Sequence, residues 1–376
     1  MKITDVKAYA LSIPLKNMPA RGIGQPVKKD AVVVKVTLED GTVGWGQGHD
    51  ALAPTVVASL VEQNLAPIVK GADVMAFEDI WQLVFRKQMQ IHGPGNSLYA
   101  AMGGVDIALW DARGKYLKQP VYKLLGGSKK KMRAYVGGWS FGFKPVPEIV
   151  EEALGYVAKG FTAMKLRLGD SVAMDLKRVN AVRKAVPDHV DIMVDVNTRY
   201  TYTQMKKALP GLEDCGIFWC EEPFPPHQIA DYARINAKSS ISLAAGENHY
   251  LRYQALHMMQ TGAIDIIQPD PCKCGGITET RRIADLALAY DRHFAPHISS
   301  TAIDSAACVH LLCAAPNALI YECDCSPVNP FRDDLVRGAP QVIDGYVEPS
   351  DAFGIGVEID EELFKKYPGI PGPAVV

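Results

Sequence analysis

The chain has 376 residues, 48% hydrophobic and 22% charged, with a formal net charge of -2; this length suits an α/β barrel carrying a second domain better than one ordinary domain. The near-neutral balance argues against nucleic acid or a membrane surface as a partner, so any chemistry has to be local. No apolar run approaches the roughly 18 residues of a membrane span, and the opening MKITDVKAYALSIPL alternates like a strand rather than an export signal, so a cytoplasmic protein is expected.

Strand-like KITDVKAYAL, AVVVKVTLED and TVGWGQG come first, joined by turns such as Glu39-Asp40-Gly41, and helical patterns follow from about residue 54 to 125. This is an α+β module over 1–125. From there a short apolar run, a polar terminus and a helical stretch alternate. The runs are RAYVGG (133–138), AMKLRLG (163–169), DIMVDVN (191–197), GIFWCEE (216–222), SLAAGEN (242–248), IDIIQPD (264–270), HFAPHI (293–298) and LIYECD (319–324). Strands alternating with helices predict parallel β/α units, and eight of them predict a modified (β/α)8 TIM-type barrel over 126–335. The remainder, 336–376, reads as turns and short strands that return to the first module as its completion.

Barrel enzymes carry their chemistry where strands end. The second strand ends in Lys165 and Arg167, which share one face by the period-two alternation of strands. The third ends in Asp195 and Asn197, the fourth in Glu221, the fifth in Glu247, the sixth in Asp270, the seventh in His297 and the eighth in Glu322, at intervals of about 23 to 30 residues. Asp195, Glu221 and Glu247 come from three adjacent strands and would repel one another without a cation. All-oxygen ligation suits Mg2+ best and Mn2+ next. Asp270 beside His297 would fix the imidazole tautomer and raise its basicity, making it an acid/base group near neutral pH.

The eight cysteines fall between Cys215 and Cys325. Their C-x-C pairs, Cys272/Cys274 and Cys323/Cys325, do not have the usual zinc spacing, so reduced structural thiols are expected.

With KLR at 165–167, DVN at 195–197, EEP at 221–223, GEN at 246–248, QPD at 268–270 and PH at 296–297, the chain resembles the enolase superfamily, and within it the mandelate racemase subgroup, over nearly its whole length. The resemblance implies that Asp195, Glu221 and Glu247 ligate Mg2+ with Asn197 supporting them, and that His297 with Asp270 is one acid/base catalyst. It also implies that Glu322, protonated, hydrogen-bonds the substrate carboxylate. The shared partial reaction is removal of the proton α to a carboxylate to give a metal-stabilised enediolate.

The chain departs from that pattern at one place. The subgroup's second-strand motif is Lys-x-Lys, and its second lysine, a base on one face of the substrate, is Arg167 here, which is permanently protonated. Lys165 could replace it only if the Arg167 charge lowered its pKa, from about 10.4 towards 7.5 for a full contact at about 4 Å. A single competent base favours β-elimination of water from an acid sugar. Racemisation or epimerisation, and cycloisomerisation of an acid-sugar lactone or anhydro ring, are the alternatives. A carboxylate-binding barrel without turnover, and a Schiff-base aldolase on Lys165, are readings of other classes.

In the family the loops of the first module close over the barrel mouth. Residues 18–29 and 48–54 therefore offer Arg21, His49 and Asp50 to a hydroxylated small-molecule carboxylate, with Gly22, Gly24 and Gly95 as flexible points. Trp139 and Phe141 could wall the site or simply pack. A homo-oligomer is expected.

Overall fold

The computed structural model describes residues 1–16, 20, 24–90, 95–299 and 301–376. Arg21 and Gly22 lie outside these.

An antiparallel sheet opens the chain: β1 (Ile3–Pro14), β2 (Lys28–Leu38) and β3 (Val43–Gly48), in that order. The central strand β2 is covered on both sides, so its valines run on without alternation. The third strand, VGWGQG, alternates glycine with large residues, and the reason is local. Its glycines lie against the helix Asn96–Leu117 so closely that a Cβ on Gly46 would sit 2.1 Å from the Gly104 carbonyl oxygen. That alternation turns Trp45 and Gln47 to the opposite face. The helix is buried almost all round. It binds the rest of the molecule through two sequestered acids: Asp106 accepts from Thr278 N and Oγ1, and Asp111 accepts from Trp45 N and Ile355 N, all at 2.7 to 2.8 Å.

Eight parallel strands follow: β4 (Met132–Gly137), β5 (Ala163–Arg167), β6 (Asp191–Asp195), β7 (Trp219–Glu221), β8 (Ser242–Ala245), β9 (Ile266–Ile267), β10 (His293–Phe294) and β11 (Tyr321–Asp324). Each pairs with the next from β4 to β10, and β11 pairs with β4, Glu322 opposite Tyr135. Between β10 and β11 the contact is reduced to one parallel bridge, Phe294 with Ala318. Helices separate the first seven strands from their successors. After β11 the only helices among the described residues are the single turns Pro330–Asp333 and Leu363–Lys366, so the eighth helix of a regular barrel is missing.

The barrel interior is layered. Tyr135, Ala163, Met193, Trp219, Ala244, Ile266, Ala295 and Ile320 form one closed apolar cluster. Two residues further along most of these strands the same inward face carries Lys165, Asp195, Glu221, Gln268, His297 and Glu322. Strand periodicity thus delivers the polar groups as a second layer on an apolar floor.

The C-terminal residues run back to the first sheet. Ser12 N donates to Tyr367 O at 3.2 Å, and Val27 N to Ala374 O at 2.9 Å. The segment also seats a buried histidine: His310 Nδ1 accepts from Tyr122 N at 3.0 Å and Nε2 lies 3.1 Å from Ile355 O. Burial pushes the His310 imidazole down to about 4, and does the same to His249. Both are neutral when folded, so the unfolded chain binds more protons between pH 6.5 and 4 and stability falls as pH falls through that window, by about 3 kcal/mol per histidine. His310→Gln keeps a donor and an acceptor. It is expected to remove about half of that acid-side slope in urea unfolding measured from pH 7 to pH 4.

No helix among the described residues is long and apolar enough to cross a membrane.

Candidate active site

A cavity of about 350 Å3 lies over the carboxyl ends of the barrel strands, closed on its other side by the first sheet and the C-terminal residues. Arg167, Asn197, Glu247, His297 and Glu322 reach it from the barrel, and His49 and Asp50 from the end of β3. Lys165, Asp195, Glu221 and Asp270 are fully buried just beneath; Lys165, Asp195 and Asp270 touch those wall residues and Glu221 touches Lys165.

Each predicted acid meets a cation of the chain itself. Lys165 Nζ lies 2.5 Å from Glu221 Oε1, 3.2 Å from Glu322 Oε1 and 3.8 Å from Asp195 Oδ2. Arg167 is bonded to Asp195 and to Gly138 O. Glu247 is held by His297 Nε2 at 2.7 Å and Lys273 Nζ at 3.3 Å. Among the described residues, the three side chains whose ligand atoms come within 4.8 Å of one another are Asp270, Cys272 and Asp304, not the three predicted metal ligands. Asp270 is already engaged there by His297, Ser299 and Cys272 N.

The electrostatics follow from these contacts. Burial opposes the Lys165 charge, but Glu221 and Glu322 outweigh it and hold the ammonium above its ordinary range. The lowering by Arg167, the condition on which Lys165 could have served as a neutral base, is outweighed by these acids. Burial lifts Glu221 to about 7, against the pull of Lys165. It works against the charge of Glu322 too, yet Lys165, His297 and Arg167 keep that carboxyl below its usual range, so Glu322 is ionised here, where a protonated form was expected. His297 presents both ring nitrogens to carboxylates, Nδ1 to Asp270 Oδ2 at 2.9 Å and Nε2 to Glu247. Burial disfavours its charge, but Glu247 and Asp270 hold it well above the imidazole range, as an imidazolium.

The chain turns sharply after two of the acids. Asn197 has φ +47° and Glu222 φ +37°, a region that residues with a Cβ seldom occupy. Asn197 donates from N to Asp195 Oδ1 at 2.7 Å and from Nδ2 to Oδ2 at 3.0 Å, fixing that carboxylate. Trp219 Nε1 and Gln268 Nε2 both donate to Glu221 Oε2.

On the far side, Asp50 accepts from Leu52 N, and His49 Nδ1 accepts from Ala51 N at 2.9 Å. His49 is kept neutral by burial, with Nε2 as its protonated nitrogen. Trp139 lines the cavity with Lys29 Nζ 4.6 Å over its ring, whereas Phe141 is buried against Tyr156 and only packs. All eight cysteines are unpaired.

Several wall residues were not singled out from the sequence, although Lys28 and Lys29 end the 18–29 stretch expected to close over the mouth. Lys28, Lys29 and Asp30 open β2 and line the cavity, with Lys28 Nζ 2.9 Å from Asp30 Oδ2 and Lys29 Nζ 3.5 Å from Asp324 Oδ2. Their signal was legible: three consecutive charged residues heading a strand that is otherwise mostly apolar. Lys273 sits in PCKCGG, three positions after Asp270, and could have been suspected as a lone cation in an apolar, cysteine-rich stretch. Glu222, the second acid of EEP, is buried with Oε2 bonded to Asn248 and Oε1 without a hydrogen-bond partner.

Comparison with known proteins bears on what such a site belongs to. D-galactarolactone cycloisomerase of Agrobacterium fabrum is 33% identical, over 98% of this chain and 99% of that one, and arabinonate dehydratase of Saccharolobus solfataricus is 31% identical, over 97% and 99%. A solved enolase-superfamily structure from Polaromonas sp. JS666 is 42% identical and superposes with a TM-score of 0.97 over the whole of both chains. A racemase from Streptomyces coelicolor A3(2), solved with bound magnesium, is 28% identical with a TM-score of 0.88, over 97% of this chain and 99% of that one. Residues 5–126 match the mandelate racemase/muconate lactonizing enzyme N-terminal domain and residues 148–363 the enolase C-terminal-like domain. Fold, strand-end groups and full-length likeness agree, and the chain belongs to the mandelate racemase/muconate lactonizing enzyme family of the enolase superfamily.

Proposed function

We propose that this enzyme removes the proton α to the carboxylate of an acid sugar and expels the β-hydroxyl as water, which makes it a sugar acid dehydratase. One observation carries the choice. The seventh strand brings a histidine oriented by Asp270 to the cavity wall, while the second strand brings Arg167, which cannot accept a proton, and Lys165 lies beneath the wall against Glu221 and Glu322. Of the second- and seventh-strand groups that reach the cavity, His297 is the one that can serve as the base, after giving up its proton at Nε2.

His297 would accept the α-proton at Nε2 once that nitrogen is free of Glu247, with Nδ1 kept on Asp270. The same proton would then leave with the β-hydroxyl as water: the C–H and C–O bonds break, a C=C bond forms, and the enol becomes a 2-keto-3-deoxy acid. Lys165 and Arg167 meet the charge that grows on the substrate carboxylate, a stabilisation that exists only near the transition state. Glu322 would hold the Lys165 ammonium towards that carboxylate, and Arg21 and His49 would hold distal hydroxyls.

Asp195, Glu221 and Glu247, with Asn197 fixing the first, are the candidates to hold Mg2+, or Mn2+. The set is all oxygen, and the unpartnered, buried Glu222 Oε1 beside Glu247 and Asp195 is an acceptor that a nearby cation would satisfy. Bound there, the ion would act as a Lewis acid towards the substrate carboxylate.

Full-length likeness to a cycloisomerase favours a second reading, in which the same α-proton is removed and a ring oxygen leaves instead of hydroxide. The unpaired cysteines suit a reducing, cytoplasmic setting, and we expect a homo-oligomer acting on a small molecule.

A panel of aldonic and aldaric acids and their lactones, assayed with Mg2+ and after EDTA, tests the proposal. At least one acid is expected to yield a 2-keto-3-deoxy product with Mg2+ and none with EDTA; no product and no α-deuteration in D2O across the panel overturns it. Arg167→Lys restores a titratable group on the second strand. It is expected to produce substrate epimer, measured by NMR, that the parent does not form.

A further inference from the structure

We infer that Gln47, on the first sheet, acts with Asp304 as a positioning pair for the Asp270–His297 dyad, through Ser299 and Thr301. The inference rests on the proposed role of His297 and adds what sets its geometry.

Gln47 is fully buried, on the face of β3 opposite the glycines, and its three amide hydrogen bonds all go to the segment that follows His297. Nε2 donates to Ser299 O at 3.1 Å, and Oε1 accepts from Thr301 N at 3.1 Å and from Thr301 Oγ1. Asp304, also fully buried, grips the same segment from the helix Ala302–Ala314: its Oδ2 accepts from Ser299 N at 2.6 Å. Ser299 is therefore fixed at both N–H and C=O, by two different parts of the fold. What this fixes is its hydroxyl, which donates at 2.9 Å to Asp270 Oδ2, the oxygen that also takes His297 Nδ1.

The other half of the dyad is tied to the same strand end. His49 N donates to Cys272 O at 3.0 Å, and Cys272 N donates to Asp270 Oδ1 at 2.7 Å. Cys308 closes the group, with Sγ 3.7 Å from both His297 O and Asp304 Oδ1. Thus β3 touches both loops that carry the dyad, and Gln47 is its strongest hold. A buried amide that makes three hydrogen bonds to one segment leaves that segment little freedom, since breaking any of them strands a polar group. Displacing a catalytic group by about 1 Å can cost roughly 100-fold in rate.

The test uses the full chain as Gln47→Ala, Gln47→Glu, which keeps the acceptors for Thr301 and loses the donor to Ser299, and Asp304→Asn. In protein labelled with 15N-histidine, the His297 Nδ1–H resonance, assigned by its absence in His297→Asn, reports the bond to Asp270 without any substrate. That proton is expected to lie far downfield in the parent and to shift upfield and broaden in Gln47→Ala, less so in Gln47→Glu, in samples whose thermal transitions stay cooperative. On an acid sugar that the parent turns over, kcat is expected to fall about 10- to 100-fold while KM stays within about twofold. An unchanged Nδ1–H signal in a folded variant overturns the inference; Gln47→Glu decides it if Gln47→Ala does not fold. Absence of turnover in the parent overturns the proposed reaction instead, and the resonance still decides the positioning role.

Discussion

His297→Asn is expected to lower kcat by about 10²- to 10⁴-fold and to stop exchange of the substrate α-proton with solvent. The variant keeps an amide that can bond Asp270, so the site loses its proton acceptor with little loss of shape. It also releases Glu247 from the 2.7 Å contact with Nε2. Substrate binding should change far less than turnover, because the missing proton transfer belongs to the transition state. If His297→Asn retains full dehydration, the base is another group and the assignment fails.

Lys165→Met is expected to cost both stability and activity. The ammonium is fully buried and lies within 4 Å of Glu221, Glu322 and Asp195, with the Tyr135 ring 5.5 Å from Nζ. Methionine fills similar volume but leaves three sequestered carboxylates short of a cation, and breaking a buried ion pair in this way costs about 3 to 5 kcal/mol. Urea unfolding at pH 7 measures it. Without Lys165 the Glu221 carboxyl takes up its proton at a higher pH than the parent's, which sits near 7, so the deficit relative to the parent should be largest at high pH and shrink as pH falls towards 7. Catalysis should be lost at every pH, since protonating Glu221 does not restore the cation that faces the substrate carboxylate.

Much of this site was legible from strand register. Once eight short runs alternate with helices, the polar residue that ends each run falls at the barrel mouth, and reading the strand ends singled out Lys165, Asp195, Glu221, His297 and Glu322. It could not find residues that reach the cavity from elsewhere. Lys28, Lys29 and Asp30 belong to a separate sheet, and Gln47 acts across the junction of the two modules; their placement depends on docking, which has no local period. The charge states were hidden for a related reason. Reading Lys165 beside Arg167 considers one neighbour in the chain, whereas Glu221 and Glu322, more than 50 residues away, decide the outcome. The metal site shows the same limit. Three acids at one mouth were read as calling for a divalent cation, and that reading did not include the contacts they make with Lys165, Arg167, Lys273 and His297. The missing eighth helix was foreshadowed only by the repeat fading near residue 335.

The proposed reaction uses a single base and ends in elimination. The most direct test is turnover of an acid sugar in D2O with Mg2+, followed by NMR. It predicts a 2-keto-3-deoxy product with one deuterium at C3 and recovered substrate of unchanged configuration. Accumulation of the C2 epimer with no keto product would contradict it, because that outcome requires the second base that Arg167 cannot provide.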